Sequence, residues 1–219
     1  MKKRFVLVFL GLTCLLCAQA QSEVGSWTLT PKVGVNWAKT TTPDIYYLAG
    51  PQMGATKLSP QYKAGLVAGA ELEYQHLQSL SWSVGLLYSQ QGRTFDNADT
   101  EPSGLRNMKT TLDYLNIPVM AHLYLAKGLA VEAGGQLGIL LHKRGSEEEV
   151  NLAGVWTKNE GSTWHRWWDI SIPVGVSYAF DNGLQLDVRY NLGLNDIGKY
   201  STSERNRVLQ LTVGYRFHL

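Results

Sequence analysis

Apolar and polar positions alternate residue by residue through eight separate stretches of this chain. The last stretch, Asn206 to Leu219, is the plainest: Leu209, Leu211, Val213, Tyr215, Phe217 and Leu219 alternate with Gln210, Thr212, Gly214, Arg216 and His218. A period of two is the mark of a strand with one greasy and one wet face. The same phase runs through a first strand near Trp27 to Trp37 (Trp27, Leu29, Pro31, Val33, Val35, Trp37). It returns in a second near Tyr62 to Tyr74 (Tyr62, Ala64, Leu66, Ala68, Ala70, Leu72, Tyr74). The third takes Leu80, Trp82, Val84, Leu86 and Tyr88, and the fourth Leu115, Ile117, Val119, Ala121, Leu123 and Leu125. Leu129 to Leu141, Trp168 to Phe180 and Leu184 to Leu192 supply the fifth, sixth and seventh. No residue of the greasy phase is charged. Lys32, Lys63, Glu71, Glu73, Glu132, Asp169, Asp187, Arg189 and Arg216 all fall in the opposite phase, which is rich in glycine and serine.

That charge segregation decides between two kinds of barrel. A soluble barrel packs its large apolar side chains inside and turns its polar phase to water. Here the polar phase, with its small residues, suits a narrow interior, and the greasy phase suits lipid. The connections agree. Links after strands two, four and six are short, with Ala126-Lys127-Gly128 and Asp181-Asn182-Gly183 as turn signals. Those after one, three, five and seven are long and polar, the third being His142 to Arg166, which is the asymmetry of outer-membrane barrels. Aromatics close both ends of the greasy phase: Trp27 with Trp37, Tyr62 with Tyr74, Trp168 with Tyr178, joined by Trp82 and Phe217. Trp27 and Trp37 stand ten residues apart, roughly 33 Å along a strand and about 24 Å once tilted, close to the apolar band of about 25 Å. The chain is therefore expected to be all-β: a closed eight-stranded antiparallel transmembrane up-and-down barrel. Closure leaves no strand edge open to hydrocarbon. An eight-stranded interior is about filled by side chains, so an open pore is not expected, and the inner charges should neutralise one another.

Composition changes the picture at the amino end. Met1-Lys2-Lys3-Arg4, an apolar run from Phe5 to Leu16 and Ala18-Gln19-Ala20 form a secretory signal, with cleavage expected after Ala20. Residues 1–20 are then removed and 21–219 form the barrel domain. Both cysteines, Cys14 and Cys17, leave with the signal, and the residues before them fit a lipid-attachment box poorly. The formal charge of +2 includes Lys2, Lys3 and Arg4; without them 17 basic residues face 18 acidic ones. No polyanion-binding surplus remains, so nucleic acid is not an expected partner.

Two resemblances follow. The ending Thr212-Val-Gly-Tyr-Arg-Phe-His-Leu219 resembles the signal on the last strand of bacterial outer-membrane barrels, with Thr212, Gly214, Phe217 and Leu219 at its key positions. That resemblance implies the barrel-assembly machinery as a partner in biogenesis. Lys32-Val-Gly-Val-Asn36 and Tyr114-Leu-Asn-Ile-Pro118 are similar to segments of the small outer-membrane β-barrel family of Bacteroidota, the porin-family or PorT-like barrels. The family commonly has an acidic residue where Asn116 stands. One member of that group assists type IX secretion, so the resemblance implies secretion-system proteins as partners to test.

Candidate chemistry is sparse. Ser162, His165 and Asp169 could form a hydrolytic set, with His142, Asp96 and Asp99 also expected near the rim. Ser162, His165 and Asp169 lie within eight residues of one another on one loop and strand start, and spacing alone does not give a nucleophile, base and orienter geometry. Asp96-Asn97-Ala98-Asp99 and Glu147-Glu148-Glu149 offer oxygen ligands but lack a calcium-loop spacing, so no metal or cofactor is expected. Trp164-His165-Arg166-Trp167-Trp168 is the most unusual loop segment. Its arginine and indoles are candidates for gripping a sugar or lipid headgroup, against a plainer reading as aromatic girdle. The expectation is an integral outer-membrane protein, not an enzyme, with both termini periplasmic and its long loops outside among lipid and lipopolysaccharide. It acts as a structural or interaction scaffold. The alternatives are a secretion accessory, a rim-located lipid-modifying enzyme and a small-solute channel.

Overall fold

A computed structural model describes residues 23–41, 45–48, 55–95, 105–150, 156–161, 166–198 and 204–219. Residues 1–20, the expected secretory signal, lie outside them. Eight strands make the wall: β1 (Trp27–Thr40), β2 (Lys63–Leu77), β3 (Leu80–Phe95), β4 (Leu105–Ala126), β5 (Leu129–Val150), β6 (Trp168–Ala179), β7 (Leu184–Gly193) and β8 (Asn206–Tyr215). Each pairs antiparallel with the next, and β8 returns to β1 from Lys32↔Gly214 to Thr40↔Asn206, which closes the barrel.

Side-chain direction follows the alternation. Along β1 the residues from Trp27 to Lys32 alternate exposed and buried without a break. Leu66 and Val33 are 61% and 59% exposed, with Leu86, Val119, Leu137, Val188 and Leu211 in the same outward phase. A continuous apolar surface of this extent is what hydrocarbon solvates. The charges of the polar phase point inward, and Lys32, Lys63, Glu71, Glu73, Glu132, Asp169, Asp187 and Arg189 are all buried. Gly128 and Gly183 make the tight turns at φ +74° and +86°, where a side chain would be strained.

Three gaps of two rungs each interrupt the wall without any slip of register, and each gap holds a proline. They lie at Gly85 to Leu86 opposite Ile117 to Pro118, at Ile172 to Pro173 opposite Gly134 to Gly135, and at Thr30 to Pro31 between the main β1–β8 ladder and the short strand Phe217–His218. Proline has no N–H to donate, so the ladder loses a bond there.

The strands at the long-loop end exceed the expected bounds. Gly92 to Lys109 and His142 to Arg166 are not simple loops: β3 continues to Phe95, β4 begins at Leu105 and β5 runs to Val150. Trp156–Gly161 pairs with Gly145–Val150 and widens this projecting sheet. A smaller hairpin, Ile45–Leu48 with Ala55–Leu58, lies in the first connection. The greasy phase ends where lipid ends, whereas backbone pairing needs no lipid and carries on. The closing strand is shorter than expected, because it breaks at Arg216, whose N–H goes to Gly183 O at 2.8 Å.

Candidate functional site: the lumen and its two rims

The short-turn half of the lumen is a charged cluster that joins opposite walls. Arg189 on β7 forks onto two carboxylates. It contacts Glu71 on β2 through both terminal nitrogens, Nη2 to Oε2 at 2.8 Å, and reaches Glu132 on β5 through Nε at 3.0 Å and Nη2 at 2.9 Å. Lys32 bridges Glu71 at 2.9 Å and Asp187 at 3.2 Å. His122 Nδ1 lies 3.1 Å from Glu132 Oε2, and its Nε2 is 2.8 Å from Ser83 Oγ. Asp187 also accepts from Thr212 at 3.1 Å and from Gln185 at 2.7 Å. Nearer the short-turn mouth, Glu73 takes the Ser81 hydroxyl at 2.6 Å and lies 3.6 Å from Arg216. Bidentate and shared contacts of this kind offset the desolvation of so many ions.

Inner-phase glycines make room for these long side chains. A Cβ added at Gly85 would stand 2.6 Å from Glu71 Cγ, and one at Gly175 would stand 2.9 Å from Arg189 Cγ. At Gly214 it would meet Thr30 Cγ2 at 2.8 Å and Lys32 Cβ at 3.2 Å. Two residues of the assembly-signal resemblance thus serve the interior, Gly214 by its smallness and Thr212 as a donor to Asp187. The other two, Phe217 and Leu219, are exposed at the short-turn rim.

The long-loop half is built differently. Neutral pairs span it: Asn36 and Gln91 both donate to Ser89 Oγ, at 2.9 and 3.0 Å, and Gln136 donates to Ser171 at 3.1 Å. Asn206 donates to Asp169 at 2.9 Å. Buried Val67, Leu87 and Val208 fill the space between. Above them Ile197, from the connection between β7 and β8, is fully buried with Leu112 and Tyr114, and Leu140 packs against the three. The Ile197 N–H donates to Glu204 O at 2.8 Å, and Glu204 pairs with Arg93 at the rim. Arg93 also donates to Thr40 Oγ1 at 2.8 Å. No signal in the local alternation marked Ile197 as a cap, because it stands in a polar connection.

The aromatic positions sort into two outward bands. Trp27, Tyr74, Trp82, Tyr178 and Phe217 lie at the short-turn end, with Trp27 and Tyr74 ring centroids 4.8 Å apart. Trp37, Tyr62 and Trp168 lie at the long-loop end. Trp168 opposes Ile139 and continues the greasy phase. Arg166 and Trp167 are exposed at that rim, the indole at 68%; Trp164 and His165 lie outside the described residues. So do Ser162, Asp96 and Asp99. Asp169, the remaining member of the imagined hydrolytic set, turns into the lumen toward Asn206. Glu147 to Glu149 belong to the projecting part of β5, and among the described residues no group of three His, Cys, Asp or Glu side chains has an arrangement that could hold a metal ion.

A recess of about 500 Å³ opens at the short-turn mouth, lined among others by Tyr124, Lys127, Asp181, Tyr215, Arg216 and His218. Lys127 and Asp181 pair across its lip at 2.7 Å, both largely exposed.

Comparison with known proteins matches this architecture. The profile of the outer membrane protein beta-barrel domain fits residues 18–199, and the chain belongs to that family. Among solved structures, Neisserial surface protein A is 13% identical, with 86% of this chain and 97% of that one covered and a TM-score of 0.48. The attachment invasion locus protein Ail of Yersinia pestis is 13% identical over 89% of this chain and 99% of its own, at 0.44. OprG of Pseudomonas aeruginosa is 10% identical over 90% and 97%, at 0.43. No curated protein sequence matches the chain.

Proposed function

We propose that this outer-membrane barrel is a sealed scaffold: it fixes the long connections and the projecting β4–β5 sheet on one side of the membrane and passes no solute through its lumen. The observation that carries this reading is the Arg189 fork. Arg189 ties β7 to β2 and β5 inside the narrow wall, and Lys32 adds β1 to the same knot, so the charged side chains occupy the path that a solute would take. In this reading both termini and the short turns are periplasmic, the signal is cleaved after Ala20, the long connections are external and the chain performs no catalysis. Planar-bilayer recording tests the seal. Steady single-channel conductance from the folded wild-type barrel would sink it.

A second reading, a PorT-like accessory of type IX secretion in Bacteroidota, draws support from the recess at the short-turn mouth. Its lining mixes Lys127, Asp181, Arg216 and His218 with Tyr124 and Tyr215, a surface suited to a periplasmic polypeptide. Crosslinking in cells separates the two readings. Recovery of secretion components on the short-turn face favours the accessory, and their absence favours the scaffold.

A further inference from the structure

At the long-loop rim one sector of the outer wall switches abruptly from apolar to basic. Four neighbouring strands present the row Tyr190, Leu209, Trp37 and Ala64 to the outside. Two residues further along, the row reads Leu192, Arg207 and Lys39, with Tyr62 completing it on the flank of β2. Lys39 and Arg207 are direct cross-strand partners. Like charges placed opposite each other on one sheet face repel. The short-turn lumen avoids that cost, its buried charges being shared among opposite partners. Here, among the described residues, neither Lys39 nor Arg207 has a carboxylate within ion-pair distance.

Both side chains are nonetheless held in place. Lys39 Nζ sits 4.6 Å from the centre of the Tyr62 ring. Arg207 Nη1 donates to Gly193 O at 2.8 Å and Asn206 O at 3.0 Å, which anchors one end of the guanidinium. Arg205 follows on the same strand approach, exposed, with Asp196 3.8 Å away. Two fixed cations directly above an apolar row match an amphiphile whose anionic head lies at the membrane boundary and whose tails lie along the wall. On the adjoining strands β3 and β4 the outward positions pair Gln90 with Asp113 at 3.2 Å, which bounds the basic row to the β8–β1–β2 sector.

We infer that Lys39 and Arg207, with Tyr62, form a binding site for the phosphate of an outer-leaflet glycolipid whose acyl chains run over Trp37 and Leu209. The leaflet assignment rests on the orientation proposed above. Protease cleavage of the long connections on intact cells tests that orientation by itself, leaving the site to a separate measurement. Phosphorylated lipid A, lipid A stripped of its phosphates, phosphatidylglycerol and inorganic phosphate would each be titrated against the folded barrel in maltoside micelles. The readout is the temperature at which heat-modifiable gel migration is lost.

Lipid A should raise that temperature for the wild type, and Lys39→Gln and Arg207→Gln should each weaken its binding roughly tenfold, as loss of one charge-assisted hydrogen bond does. Lys39→Arg should retain binding, which guards against a general folding defect. Arg144→Gln, at the same rim but on β5 at the far side of the barrel, should leave it unchanged. Stripped lipid A, inorganic phosphate and phosphatidylglycerol should bind far more weakly. Wild-type affinity in the double Gln variant, or equal binding of stripped lipid A, would overturn the site. Equal binding of phosphatidylglycerol would overturn its assignment to a glycolipid.

Discussion

The two halves of the lumen solve the same problem in opposite ways. Toward the short turns, Lys32, Glu71, His122, Glu132, Asp187 and Arg189 bury full charges and share them among several partners each. Toward the long connections the same inward phase carries mostly amides and aliphatics, with the charges of Lys63 and Asp169 held by Gln91 O and Asn206. Several amide atoms there have no protein partner: Asn36 Oδ1, Asn116 Nδ2, Gln210 Nε2 and both ends of Asn191. Buried ions must be paired almost completely, because one lost partner leaves a charge without water. Neutral amides tolerate incomplete pairing at far smaller cost. One half of the interior is therefore rigidly specified and the other loosely so.

Substitutions can break or sharpen this contrast. Arg189→Ala should have the largest effect, about 3–5 kcal/mol, since it removes the shared cation and leaves Glu71 to Lys32 and Glu132 to His122 alone. Urea unfolding in lipid vesicles measures it, and bilayer recording of the same variant should show conductance through the unplugged floor. On the outer face, Val174→Arg should cost about 2–4 kcal/mol as a charge placed in lipid. Ser177→Arg, three residues on and turned inward beside Asp187, should cost less in the same assay. Gly85→Ala comes next, at about 1–3 kcal/mol, because the new methyl would press on Glu71 Cγ and push it from the arginine fork. Asn191→Leu should be mildest, within about 1 kcal/mol, because no hydrogen bond of its side chain is lost. An Asn191 variant as damaging as the Arg189 variant would erase the distinction between the halves.

Much of the wall was legible from alternation, because a strand offers only two directions and lipid forbids charge in one of them. The inward placement of Lys32, Glu71 and Arg189 followed from that constraint alone. Their partners did not. Arg189 meets Glu71 across the lumen, and that choice depends on barrel tilt and on the space left by Gly85 and Gly175, which no local pattern encodes. The extension of β4 and β5 into water was missed for a related reason: Thr110, Thr111 and Ser146 pair as strand without any apolar rhythm. Ile197 was hidden because a single aliphatic in a polar connection resembles any loop residue until the mouth it covers is known. Of the Trp164 to Trp167 segment, only Arg166 and Trp167 fall among the described residues, both exposed. The rim pair Lys39 and Arg207 lies just past the residues that pattern reading had assigned to the greasy phase.

The proline at position 31 has a consequence for how the cylinder is fastened. Its two ends are buttoned at two separate points: nine paired positions from Lys32 to Thr40, then two more where Phe217 and His218 meet Leu29 and Thr28. Between the buttons the cloth is unstitched. The carboxyl tail can therefore let go of the first strand while the main seam stays shut, and a factor that grips this tail need not rip the cylinder to take hold of it.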